Sequence, residues 1–187
     1  NDFEDLRLNI ETDTEKIERL AFFTANSLGD AYAKETFRGE LSKWIINNIS
    51  KRPDGIPGYS MRMPFLLSFA LPKIIRFFNV GHILGKLNYE SIVSSSAGVV
   101  ISAYSPNPLV WLKIGRLAER IMLHAWAMME LKSSIYVASI EIGEYAKKIQ
   151  RVIGSGAIPQ FLFCIGRMNN KKIKLTQRWH PRHKMIV

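Results

Sequence analysis

Cysteine is nearly absent: Cys164 is the only one in 187 residues. A lone thiol excludes an intrachain disulfide and a cysteine-based metal cluster. Its place inside the apolar run Phe161-Leu-Phe-Cys-Ile165 predicts a buried, inert side chain, which fits a reducing cytoplasm. Long hydrophobic runs are missing too. The stretch from Met63 to Ala70 is soon followed by Pro72, Lys73 and Arg76, too short and too charged for a membrane span of about 20 apolar residues. No charged-then-apolar signal segment follows Asn1, and the missing initiator methionine leads us to expect further chain upstream. There is no internal repeat, no low-complexity tract and no Ser-His-Asp or Cys-His constellation that spacing supports.

Acidic residues are scarce in one half. Seven of the 16 lie in the first twenty positions, and none follows Glu144, whereas ten basic residues run from Lys147 to Lys184. The tail alone matches the formal net charge of +10. Such a surface attracts phosphate, on a cofactor, a lipid or nucleic acid. Aromatic and basic residues do not interleave as in RNA-binding modules, which argues against nucleic acid. Arg62, Lys73 and Arg76 flank Phe65, Leu66, Leu67, Phe69, Ile74, Ile75, Phe77 and Phe78, a composition compatible with packing, a lid or peripheral membrane contact.

Periodicity gives the elements. Leu6 to Ile10 alternates as a half-buried strand. Thr12 or Asp13 caps a helix reaching about Leu28, closed by Gly29. A second helix is expected from about Ala31, with Leu41, Trp44, Ile45 and Ile49 on one apolar face. Two prolines and two glycines make 51–59 a loop, and Pro64 and Pro72 break 61–80 into short helical pieces. Ser96 to Tyr104 reads as a strand covered on both faces. Pro108 opens a long helix to about Leu131, apolar but for the stripe Lys113, Arg116, Arg120 and His124. A loop or short extended segment over 132–139, a helix from about Ile142 to Ile153 ending at Gly154, and a buried strand from Ile158 to Ile165 complete an α+β domain.

The order of motifs adds a family. Ala157-Ile-Pro-Gln-Phe-Leu-Phe-Cys-Ile-Gly-Arg167, after a strand, a long apolar helix and a Ser-rich loop, resembles the C-terminal part of FMN-dependent nitroreductases. The family's proline after the glycine is replaced here by Met168 or Asn169. Phe37-Arg-Gly-Glu-Leu-Ser-Lys-Trp44 and Lys51-Arg-Pro-Asp-Gly-Ile-Pro-Gly-Tyr59 are similar to the second half of a branch in which two nitroreductase-like halves are fused. The family's N-terminal Arg-x-Ser-x-Arg and Pro-Ser-x-x-Asn-x-Gln-Pro-Trp segments do not occur in these residues.

The resemblance implies one nitroreductase-like domain over 1–187, with 51–80 as a loop or lid insertion. Its sheet is antiparallel and flanked by helices, and its long apolar helix serves a homodimer or a missing N-terminal half. It implies FMN, a nicotinamide donor and an electron-poor substrate, the hard chemistry residing in the cofactor. By the family pattern, Ser133, Ser134, Ile135 and Tyr136 run past the flavin ring; the family often has Gly or Ala-Ser-Pro here, and Tyr136 is a departure expected to stack on the ring or block it. Lys172, Arg178 and Arg182, with Lys174 behind them, approach its phosphate, where an arginine fork binds in bidentate fashion. Asp54, Gly55 and Tyr59 form a lid over the substrate face. Each set has a plainer reading: solvent-facing turn serines, an exposed basic tail, and glycines that permit unusual backbone angles. His82, His124, His180 and His183 supply no metal site that spacing supports. Two other functions stay open, a non-catalytic module for dimerisation or flavin sequestration, and a basic binder of anionic surfaces.

Overall fold

The computed structural model describes residues 3–168 other than Pro53 and Arg62. Within them the chain forms two compact units, one from the residues up to Asp30 and from Gly81 onward, the other from Ala31–Val80.

The first unit is built on a four-stranded antiparallel sheet of β1 (Leu6–Glu11), β4 (Ala97–Ala103), β6 (Ile158–Gly166) and β5 (Lys132–Ile135), in the spatial order β1-β4-β6-β5. Every residue of β4 is buried, as its unbroken run of small and β-branched residues predicts. Its alternating side chains serve two cores. Val100, with Leu162 and Cys164 of β6, packs under Ile17, Leu20 and Ala21 of α1 (Thr14–Ala33). Ile92 of α4 (Gly81–Val93) and Ile149 and Val152 of α7 (Gly143–Val152) close that core. On the opposite face Leu6, Val99, Ile101, Ala103 and Phe163 meet Val110, Ile114 and Ala118 of α5 (Pro108–Met129). Burying each of the larger side chains stabilises the unit by about 1.5–3 kcal/mol.

Local chemistry fixes the helix ends. The Asp13 carboxylate accepts from the Lys16 amide at 3.0 Å, and the Asn107 side chain accepts from the Val110 amide at 3.1 Å with Pro108 behind it. Glu130 ends α5 in the left-handed region, φ 54°. Its amide donates to the Trp126 carbonyl and that of Leu131 to Ala125, a closure usually given to glycine. A four-residue helix, α6 (Ala138–Glu141), links β5 to α7.

Gly29 does not close α1, which continues to Ala33. A mid-helix glycine costs only about 1 kcal/mol, and burial of Ala31 and Tyr32 offsets it. The Arg38 guanidinium completes the end, donating to the carbonyls of Tyr32 at 2.6 Å and Ala33 at 2.9 Å.

In the second unit, α2 (Glu35–Trp44) buries no residue, contrary to the apolar face expected of it. Ile45 and Ile46 leave the helix as β2 (Ile45–Ile46) and pair in parallel with β3 (Ile56–Pro57). Trp44 and Ile49 stay exposed. A 3-10 turn, Leu66–Phe69, precedes α3 (Leu71–Phe77), whose Pro72 sits in the first turn and starts the helix instead of breaking it.

Candidate functional site

β5 lies at the edge of the sheet and pairs only with β6 among the described residues. Ser134 stands opposite Cys164 and Ile135 opposite Phe163, and the Tyr136 amide donates to the Leu162 carbonyl at 2.9 Å. Main-chain groups in an antiparallel ladder alternate between the partner and the open side. The N–H and C=O groups of Ser133 and Ile135 therefore point to the open edge. The Ser134 and Ile135 side chains are exposed as well.

Tyr136 does not take the stacking or blocking part expected of it. Its side chain is 5% exposed, sits in the core with Leu162 and Cys164, and donates from its hydroxyl to Ser91 Oγ at 2.9 Å. The ring is turned inward and has no face left to stack on a ligand. Tyr136 anchors the end of β5, and Thr24 Oγ1, 3.3 Å from Ser139 Oγ in a buried contact, pins the following α6 to α1. This pair was not read from the sequence, because nothing in the spacing joins positions 115 residues apart. The start of β5 is fixed by Lys132, whose ammonium lies 3.0 Å from the centroid of the Trp126 ring at the end of α5, a cation–π contact.

Cys164 faces the same core. Burial pushes its thiol up to about 11, a hydrogen bond with Ser95 acting weakly the other way. At neutral pH it is a protonated, unreactive group. Among the described residues no cluster of three or more His, Cys, Asp or Glu side chains has the arrangement of a metal site. Lys172, Arg178, Arg182 and Lys174, together with His180 and His183, lie outside the described residues.

The lid candidates belong to the second unit. Asp54 pairs with Arg52, Nε to Oδ1 at 3.2 Å, both partly exposed. Gly55 has φ +107°, and a Cβ there would meet the Trp44 carbonyl at 2.8 Å, so no other residue fits without moving β2. Gly58, by contrast, is required for close approach: a Cβ would stand 2.8 Å from Asn48 Oδ1 and from Ser68 Cβ. Tyr59 is half-buried in the 3-10 turn Gly58–Met61. The preceding motif is local architecture. Phe37 meets Tyr32 edge-on at 5.3 Å, Arg38 caps α1, and Glu40 holds Lys43 at 2.6 Å and Trp44 Nε1 at 3.2 Å.

No family model and no curated protein matches the chain. Solved structures do. The FMN and NADPH-dependent nitroreductase NfnB from sphigopyxis sp. strain HMH superimposes with a TM-score of 0.54 at 17% identity, over 98% of this chain and 79% of that one. Two variants of the same enzyme give 0.52 at 16% identity with the same coverage. The chain has the nitroreductase fold.

Proposed function

We propose that this chain is a flavin-binding domain of nitroreductase type, which holds FMN and passes electrons from a nicotinamide to an electron-poor acceptor. The observation that carries the reading is the open edge of β5 in a nitroreductase fold. Two outward N–H and C=O pairs, at Ser133 and Ile135, stand beside an exposed Ser134 hydroxyl. An isoalloxazine ring has a matching edge of alternating donors and acceptors. The donor set of the described residues thus fits the ring, and the phosphate is assigned to Lys172, Arg178 and Arg182, where the cationic excess of the chain lies.

Bound FMN would supply two-electron acceptance from a nicotinamide and delivery to the acceptor. The chain's own contribution is to orient and to exclude water. Tyr136 and Ser139 fix the β5 backbone so that its edge groups need no reordering on binding, which preserves affinity. Asp54, Gly55 and Tyr59 serve as the lid in this reading. The solvent face of α5 carries Leu112, Leu123 and Trp126 exposed on one side of the helix; an exposed apolar strip of this kind marks an interface, and we assign it to the dimer.

Titrating the full chain with FMN tests the proposal. Quenching of flavin fluorescence with shifted flavin bands, followed by NADPH-dependent bleaching under anaerobic conditions, is the expected result. A chain that neither quenches nor shifts added FMN overturns it. Binding without bleaching by any nicotinamide would leave the non-catalytic module.

A further inference from the structure

A second surface, in the other unit, carries none of the groups assigned above to the flavin or the lid. Residues 65–78 bury Ser68, Leu71 and Ile75 and leave Phe65, Leu66, Leu67, Phe69, Phe77 and Phe78 exposed, Leu66 at 80% and Phe77 at 68%. Singly exposed apolar residues are ordinary, but a contiguous group of this kind marks a contact surface. On α3 the spacing of Leu71 and Ile75 sets the inward face, so Lys73, Arg76 and Phe77 lie on the opposite one. All three are exposed.

The charge pattern selects the occupant. Residues 31–80 hold eight basic side chains and three acidic ones, with no Asp or Glu from Gly55 to Val80. Two of the acids are engaged elsewhere, Glu40 with Lys43 and Asp54 with Arg52. Among the described residues neither Lys73 nor Arg76 is in an ion pair, and the Arg76 guanidinium rests 5.6 Å from the Phe77 ring centroid. Lysine is depleted from protein interfaces, and here Lys73 and Arg76 face outward with no acidic residue between positions 55 and 80 to neutralise them. They suit a lipid boundary, where long basic stems lie along the apolar layer and their heads reach the phosphates. No helix of the described residues is long and apolar enough to cross a bilayer, so the contact is peripheral.

We propose that the outward face of residues 65–78 docks on an anionic membrane surface, with Leu66, Phe69 and Phe77 entering the headgroup boundary and Lys73 and Arg76 pairing with lipid phosphates. The proposal stands apart from the flavin reading, and either can fail alone.

The test is co-sedimentation of the full chain with vesicles of phosphatidylcholine alone and of phosphatidylcholine with phosphatidylserine. Binding to the anionic vesicles, weak or absent binding to the neutral ones, and loss on adding salt are expected. K73E/R76E should lower partitioning at least roughly 25-fold, taking about fivefold for each cation lost near an anionic surface, and L66S/F69S at least about tenfold. Both variants change exposed positions, and K73E/R76E leaves Leu66, Phe69 and Phe77 themselves unchanged, so a folding defect in one does not rescue the idea from the other. Failure of the parent to sediment, equal binding to neutral vesicles, or parent-like binding by K73E/R76E would each refute it. So would a lipid-free parent whose self-association is lost in L66S/F69S, because the face would then join two copies of the chain.

Discussion

The contact between α1 and α4 can be probed with a single methyl group. Gly85, buried in α4, stands where an added Cβ would lie 2.7 Å from the Ala25 carbonyl oxygen of α1. Carbon–oxygen contacts between packed elements settle near 3.3 Å, so Gly85→Ala must push the helices roughly 0.6 Å apart. Two effects compete. Alanine favours the helix by about 1 kcal/mol, while overpacking a tight core costs about 1–3 kcal/mol. The obstacle is backbone, not a flexible side-chain tip, which places the cost at the upper end. We expect a net loss of about 1–2 kcal/mol, a fall in Tm of roughly 2–8 °C for a chain of this size. Gly39→Ala is the control. Gly39 sits inside α2 with nothing within 4 Å of the added methyl, so only the propensity gain of about 0.5–1 kcal/mol remains. Urea unfolding at fixed pH measures both. Opposite signs are expected, and a Gly85→Ala protein as stable as the parent would show that the two helices do not approach as described.

The other predictions are independent of that contact. Asn107→Ala removes the acceptor for the Val110 amide and should cost about 1 kcal/mol in thermal unfolding. Because burial raises Cys164 to about 11 in the folded chain from an ordinary 9.0, its contribution is complete below pH 9 and lost as pH climbs toward 11. That loss amounts to about 2–3 kcal/mol, and stability of Cys164→Ala should fall less across the same window. Leu112→Glu with Leu123→Glu, on the exposed face of α5, should convert the proposed dimer to monomer in sedimentation velocity.

How much of this was legible depends on whether the deciding interaction was local. β4 could be read because burial on both faces leaves an unbroken β-prone run. The N-terminus of α5 could be read because Asn107 and Pro108 act within one turn. The end of α1 could not. Gly29 is a stop signal that Arg38 overrides by reaching back to the Tyr32 and Ala33 carbonyls, and no helix rule anticipates a cap supplied from the next element. α4 had no counterpart in the sequence reading, since it packs through two glycines and Ile92 and carries no broad apolar stripe.

The same division holds in the candidate site. Residues 132–139 read as a loop or short extended segment, and 132–135 form an edge strand whose main-chain groups at Ser133 and Ile135 face outward. Tyr136 was misassigned because a tyrosine beside a ligand strip and a tyrosine anchoring that strip look alike in one dimension. Strand alternation continued past β5 sends residue 136 to the face of Leu162, and Ser91 gives its hydroxyl a buried partner. A Tyr136→Phe protein separates the two roles by a simple route. The lost hydrogen bond leaves Ser91 Oγ without its donor and should cost about 1 kcal/mol of stability. If FMN binds by backbone contacts at β5, its affinity should change only through looser anchoring of the strand, with the flavin spectrum unaltered. A large spectral shift in this variant would mean that the phenol itself meets the ring, and the inward placement of Tyr136 would be wrong.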